Sequence, residues 1–164
     1  MQTLDNLFLT TLKDIYYAER QILKALPKMA KAADSRELAD GFTQHRVQTQ
    51  KQIERLQEVF EILGTRAAGV TCEAINGIIE ECEELLDDDK DASPVRDAGL
   101  AACGQAVEHY EMARYGTLIA WSRHMDADRI TELLEETLAE EKQTDQDLTM
   151  LSEQILAENS QTSK

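Results

Sequence analysis

Two glutamates, Glu108 and Glu111, stand in the middle of a helix-forming segment, AVEHYEMARYGTL. Helical spacing places them on one stripe with small or apolar residues, namely Ala101, Gly104, Tyr115 and Leu118. Because the rest of the stripe has the composition of a core face, both carboxylates are predicted to lie inside the protein. Several buried carboxylates need a positive partner, and a divalent or trivalent metal ion can serve them all at once.

The other long apolar stripes are also interrupted by polar residues. A stripe from Phe8 to Leu26 contains Glu19, and a stripe from Leu38 to Leu63 contains His45, Thr49 and Gln52. A third stripe, from Ile130 to Ile155, contains Glu141. Carboxylates combined with an imidazole suit iron or manganese, and a bundle of facing helices can hold such a site in its core.

The composition favours helices, since two prolines and seven glycines leave few breakers in 164 residues. Four long helices are predicted: from about Leu4 to Ala33, from a cap at Asp34 to Gly64, from Pro94 to about His124, and from a cap at Asp126 or Asp128 through the stripe that ends at Ile155. A short helix is predicted over about residues 71–86 of the central connection. Pro27 is expected to kink the first helix, and Asp34 with Glu37 forms a capping box at the start of the second. Ser93 and Pro94 mark the start of the third long helix, and Asp126 or Asp128 is expected to cap the last one. The sequence therefore predicts an all-α fold, a four-helix bundle of two antiparallel hairpins, over residues 1–158, with a disordered tail at 159–164.

The two tight turns place the polar residues at a shared height. With the second turn centred on Asp126, Glu111 lies level with Glu141, and Glu108 lies level with Thr144, beside Asp145. With the first turn centred between residues 34 and 35, Glu19 lies level with residue 50, within about two helical turns of His45 and Gln48.

A single glutamate on such a stripe can simply lie at a helix edge with its carboxylate in water, and a histidine can be a hydrogen-bonded core residue. The shared height favours a metal site instead, because independent edge residues need not align. The predicted ligands are Glu19, His45, Glu108, Glu111 and Glu141, and the additional ligands or supporting residues are Gln48, Thr144 and Asp145.

Charge and composition exclude several other functions. The chain has 32 acidic and 17 basic residues and a formal net charge of -15, which disfavours nucleic acid and anionic membranes as partners. No apolar run reaches the roughly 20 residues of a membrane span, and the N-terminus does not resemble a signal peptide. Three cysteines without CxxC spacing are typical of free thiols, and the expected location is the cytoplasm. The acidic run DDDKD indicates a solvated segment rather than a calcium loop.

Over about residues 4–151 the chain resembles the YciF-type proteins, a bacterial stress-induced branch of the ferritin-like superfamily. The resemblance is carried by DIYYAERQILKALPKMAKAA, VEHYEMARYGTL and EETLAEEKQTDQDL. It implies a ferritin-like bundle, a homodimer and a di-iron carboxylate site. In that site Glu19 and Glu108 would match the two lone glutamates, and Glu141 would match the glutamate of the last Glu-x-x-His pair. The histidine of that pair falls on Thr144, with Asp145 beside it.

The second helix departs from the family pattern. Where relatives read like HLEETEG, this chain reads HRVQTQK, so Val47, Gln48 and Gln50 replace residues of that pattern, including its acids. Because a neutral amide binds metal more weakly than a carboxylate, the resemblance implies either one occupied site or two ions of unequal affinity.

Two functions follow from the resemblance. The first is a metal protein with one or two ions per chain, iron foremost with manganese or zinc as alternatives, which handles iron or reduces peroxide or oxygen. The second is a non-catalytic structural stress protein, a helical dimer with a degenerate site. A DNA-protecting cage is disfavoured by the net charge of -15.

Overall fold

The computed structural model describes residues 3–88 and 91–162, and these ranges contain five helices and no strand. The helices are α1 (Leu4–Ala32), α2 (Arg36–Ile62), α3 (Glu73–Asp88), α4 (Pro94–His124) and α5 (Asp128–Thr162). This order confirms the prediction of four long helices with a short one in the connection between two hairpins.

α1, α2 and α4 begin at the side chains of Thr3, Ser35 and Ser93, each of which accepts a backbone N–H from the first turn. Ser93 accepts from Arg96 with Pro94 in the first turn of α4, as predicted. The predicted cap at Asp34 is wrong by one residue, because Ser35 Oγ accepts the Leu38 N–H at 3.3 Å and so caps α2. α2 ends at Ile62, and Gly64 follows with φ of 67°, a conformation that glycine adopts without strain.

The chain ends differently from the prediction. α5 continues to Thr162, so residues 159–162 of the predicted disordered tail are helical. No proline or glycine interrupts this stretch, and the helix therefore propagates from its packed part. Residues 163 and 164, like residues 89 and 90 of the DDDKD run, lie outside the described residues.

The four long helices form a square in which each helix is antiparallel to its two neighbours. α1 packs on α2 and α4, and α5 packs on α4 and α2, while α3 lies against α1 and α4. In the second hairpin Gln105 Nε2 donates to Thr149 Oγ1 at 2.7 Å, and the Ser122 and Thr131 hydroxyls are 2.7 Å apart. Both pairs have the alignment predicted from the turn, and together with the packing of the four long helices they confirm the predicted four-helix bundle of two antiparallel hairpins.

One buried carboxylate joins the two hairpins at the end of the bundle. Asp97, in the first turn of α4, accepts the backbone N–H groups of Asp34 at 2.8 Å and Ser35 at 2.6 Å. The neighbouring Arg96 side chain donates to the Ala32 carbonyl. These bonds attach the α1–α2 turn to the start of α4 and thereby set the height at which α1 faces α4.

None of the described helices is long and apolar enough to cross a membrane.

Candidate metal centre

Four of the five predicted ligands converge in the middle of the bundle. His45, Glu108, Glu111 and Glu141 each offer one ligand atom, and these atoms all lie within 4.8 Å of one another. His45 Nε2 is 3.2 Å from Glu108 Oε1 and 3.8 Å from Glu141 Oε2. All four side chains are buried, and the three glutamates are completely inaccessible.

Glu19 lies at the edge of this cluster rather than inside it. The residue is fully buried on α1, and Tyr115 of α4 donates its hydroxyl to Glu19 Oε1. Burial, followed by the charge of Glu141, raises the pKa of Glu19 to about 8. Glu19 is therefore close enough to interact with the four-residue cluster, but it is held by a tyrosine.

The three supporting residues of the prediction have other contacts near the cluster. Gln48 is half-buried and lines a groove that also reaches His45. Thr144 donates its hydroxyl to the Glu140 carbonyl at 3.1 Å, a bond within its own helix. Asp145 lies 3.1 Å from the largely exposed His109 Nε2, and Gln105 Nε2 donates to it at 3.4 Å. Whether any of them supports a metal ion stays a prediction.

The cluster has more buried acceptors than donors. Both carboxylate oxygens of Glu108, Glu111 and Glu141, together with His45 Nε2, are buried without a hydrogen-bond partner among the described residues. The 3.2 Å contact between His45 and Glu108 is thus a close approach without hydrogen-bond geometry. Buried polar atoms normally have partners, so this concentration of unpaired acceptors indicates a missing cation or protons.

Burial also disfavours every charge in the cluster. It is the main reason why the pKa values of Glu108 and Glu111 are well above that of an exposed glutamate and why the pKa of Glu141 is raised. Burial lowers the pKa of His45 to about 4. Neutral imidazole is the form that binds metal, and a metal ion would supply the charge that lets the glutamates ionise. Three carboxylates and one imidazole are a donor set that fits a divalent ion.

Sequence reasoning missed a polar network directly beside the cluster. Arg55 of α2 donates to both Glu140 oxygens at 2.8 Å, and Gln52 Nε2 donates to Glu140 at 3.1 Å. The only sequence signal was the acidic pair Glu140 and Glu141 opposite a basic residue of α2. That signal can be interpreted only when α2 is known to face α5. The two helices belong to different hairpins, so the alignment within each hairpin does not predict their contact.

Comparison with known proteins identifies the family. Residues 3–161 match the family profile described as a domain of unknown function, DUF892. The chain belongs to the DUF892 family. It is 40% identical to protein YciF of Escherichia coli strain K12 over 153 residues, which cover 93% of this chain and 92% of YciF. The predicted likeness to the YciF-type proteins is therefore confirmed.

Solved structures of relatives share the fold. The E. coli stress protein YciF superposes with a TM-score of 0.91 at 39% identity, covering 96% of this chain and 99% of YciF. YcfI of Rhodopseudomonas palustris, which has been proposed to be a structural protein, has a TM-score of 0.88 at 51% identity, covering 90% of this chain and 94% of YcfI. Protein XCC3681 of Xanthomonas campestris has a TM-score of 0.76 at 20% identity, covering 98% of this chain and 99% of XCC3681. At this identity the likeness shows the fold alone.

Proposed function

We propose that this YciF homologue is a stress-associated metal protein that binds a divalent ion, foremost ferrous iron, in the core of its bundle. The ligands would be His45, Glu108, Glu111 and Glu141. The observation that carries the proposal is the set of six carboxylate oxygens and one imidazole nitrogen that are buried together without partners. A protein that only needed a stable core would be more stable with apolar residues at these positions.

The donor set favours iron or manganese over the other common ions. Carboxylates and imidazole suit both, whereas structural zinc sites more often use cysteine, which is absent from this cluster. Bound iron would supply one-electron redox chemistry, which fits a role in handling iron or reducing peroxide or oxygen under stress. The surrounding side chains of the protein exclude bulk water, and Tyr115 holds Glu19 in position.

One ion per chain is the stoichiometry that the side chains favour. Glu19 is the residue that a second ion would recruit, but it is engaged by Tyr115, and Gln48 is neutral and half-buried in the groove beside His45. The variant Gln48→Glu adds a carboxylate at this groove and is expected to raise the number of bound ions toward two. An unchanged stoichiometry would show that Gln48 lies too far from the centre to act as a ligand.

The test is direct metal binding by the purified full-length chain. Elemental analysis of protein loaded with ferrous iron under anaerobic conditions is expected to give one ion per chain. At an ion concentration about 100 times the Kd, binding should stabilise the fold by about 3 kcal/mol and raise the Tm, and chelator should reverse the shift. Manganese and zinc are compared in the same assay. A structural protein with a degenerate site would bind no stoichiometric metal and keep its Tm.

The matched variants are Glu108→Gln, inside the cluster, and Glu132→Gln, on the exposed surface of α5. Each variant replaces one carboxylate with an amide, so both change the net charge of the protein by the same amount. Only Glu108→Gln should lose the metal-dependent Tm shift, and an equal loss in both would mean that the ion binds through surface charge.

A further inference from the structure

Two cysteines face each other where α3 packs on α4. The antiparallel alignment of these helices is given by Leu85, whose Cδ2 would lie 2.7 Å from a Cβ placed on Gly99. One helical turn back along α3 and one forward along α4 lead to Cys82 and Cys103. Further along the same interface, Cys72 Sγ lies 2.9 Å from the Tyr110 hydroxyl, which agrees with this alignment. Cys82 and Cys103 are therefore level with each other.

The two thiols are close enough to act on each other's pKa and differ in accessibility. Cys82 is buried and Cys103 is half-buried. The interaction with Cys82 lowers the pKa of Cys103, and the interaction with Cys103, together with burial, raises the pKa of Cys82. Because Cys103 is the more accessible of the two sulfurs, it is the one that a small oxidant reaches first.

We propose that Cys82 and Cys103 form a reversible intramolecular disulfide when the protein meets a hydroperoxide. The Cys103 thiolate attacks the peroxide oxygen, the O–O bond breaks, and Cys103 becomes a sulfenic acid. The leaving oxygen takes up the proton that the Cys103 thiol had released and departs as an alcohol or water. The Cys82 sulfur then attacks the Cys103 sulfur, the S–O bond breaks, and the Cys82 proton leaves with the hydroxyl as water. Two electrons pass from the two thiols to the peroxide, and a dithiol reductant restores the starting state.

The surroundings favour an internal partner over a small external thiol. The charge of Glu81 acts on both sulfurs, and that of Glu83 acts on Cys82. Negative charge at this position repels anionic partners such as glutathione, so the sulfenic acid meets Cys82 first. Cys72 is buried and has the Tyr110 hydroxyl as its own hydrogen-bond partner. It serves as the internal control.

The disulfide would attach α3 covalently to the bundle. In the reduced protein α3 is held through its packing on α1 and α4. A bond between Cys82 and Cys103 closes a loop that contains the end of α3, the connection to α4 and the first turns of α4. Closing this loop restricts the unfolded chain, so the oxidised protein should melt at a higher temperature. This inference does not depend on the proposed metal centre.

The test counts thiols in the full-length, chelator-treated protein before and after hydrogen peroxide. The reduced chain has three cysteines, and the number of thiols titrated in denaturant should fall from three to one. Peptide mapping should find Cys82 joined to Cys103, the mass should decrease by two hydrogens, and dithiothreitol should return all three thiols. The Tm should rise on oxidation and fall again on reduction.

Three single variants separate the cysteines. Cys72→Ser should keep the peroxide-induced disulfide and the Tm rise, whereas Cys82→Ser and Cys103→Ser should lose both. Cys82→Ser should also leave a sulfenic acid at position 103 that a dimedone probe traps. Circular dichroism of each reduced variant checks that the helices are intact. The proposal is overturned if the peroxide-treated protein keeps three thiols, joins Cys72 to another cysteine, links two chains, or stops at a sulfinic acid on Cys103.

Discussion

Glu140 and Glu141 are neighbours in the chain and have opposite environments. Glu140 accepts hydrogen bonds from Arg55 and Gln52, and although burial opposes ionisation, Arg55 lowers its pKa below the ordinary value. Glu141 points into the cluster, where burial raises its pKa and neither oxygen has a hydrogen-bond partner among the described residues. One carboxylate has its counter-charge supplied by the protein, and the other does not.

The comparison separates a structural carboxylate from a candidate ligand. A glutamate that the fold ionises for its own stability has an arginine or lysine within reach, as Glu140 has Arg55 at 2.8 Å. Glu108, Glu111 and Glu141 instead face one another and an imidazole. A cation from solution is the partner that would let all three ionise together.

The largest expected effect is a contrast between Glu141→Gln and Glu140→Gln. Glu141→Gln should weaken metal binding by at least about 10- to 100-fold and stabilise the metal-free protein, because it removes a buried acid that lacks a partner. Glu140→Gln should leave metal affinity nearly unchanged and destabilise the protein, since Arg55 loses its charged partner. Calorimetric metal titration and melting of the metal-free variants measure both effects. Equal effects of the two variants would remove the distinction between the sites.

The next effect concerns the pH dependence of the metal-free protein. Glu19 has its pKa raised from 4.5 to about 8, and the cluster glutamates shift in the same direction, so the folded state holds protons that the unfolded state releases. The stabilising contribution of Glu19 is fully present below pH 4.5 and is lost as pH rises through about 8, and the contributions of the cluster glutamates are likewise lost with rising pH. His45, lowered from 6.5 to about 4, acts oppositely, and its contribution is lost as pH falls below 6.5.

Between pH 6.5 and 8 the loss from the acids is therefore not offset by His45, and the free energy of unfolding should fall with rising pH, by about 2 kcal/mol from Glu19 alone. Urea unfolding at a series of pH values, with chelator present, measures this slope. Saturating metal should abolish or reverse it, because metal competes with the same protons. A metal-free protein whose stability rises over this range would contradict the assigned environments.

A smaller effect is expected from the structural side of the comparison. Arg55→Met removes the partner of Glu140 and should destabilise the fold by about 2 kcal/mol, less than for a fully buried pair because solvent screens part of the interaction. Arg129→Met is the control, since Arg129 makes its ion pair with Glu58 at the exposed surface, and it should change stability much less. Chemical denaturation compares the two variants. Similar values would show that the Arg55 network contributes no more than a surface pair.

The smallest effect is expected at Tyr115, whose hydroxyl donates to Glu19 at the edge of the cluster. Tyr115→Phe removes the hydroxyl that donates to Glu19 and should destabilise the metal-free protein by about 1 kcal/mol, because Glu19 Oε1 is left without its donor. Freed from this bond, Glu19 should also bind a second ion more readily, which elemental analysis would detect. An unchanged stability and stoichiometry would mean that the bond contributes nothing at this position.

The sequence by itself determined the helices and the height of the site. Helical periodicity and local breakers are properties of neighbouring residues, so Ser93 and Pro94 mark the start of α4 wherever that helix packs. The alignment of a tight antiparallel hairpin follows from its turn, and for this reason Glu108, Glu111 and Glu141 could be predicted to meet. The burial of Glu19 followed in the same way from its apolar stripe.

Only the tertiary structure decided which polar residues face one another across different hairpins. The Asp97 bonds to the α1–α2 turn set the position of one hairpin on the other, and no local signal encodes such a contact. The pairing of Arg55 with Glu140 and the hydrogen bond from Tyr115 to Glu19 depend on that position, and the proximity of Cys82 to Cys103 depends on how α3 packs on α4. Each joins elements far apart in the chain, where a shift of one residue turns a side chain by about 100° around its helix and changes its partner.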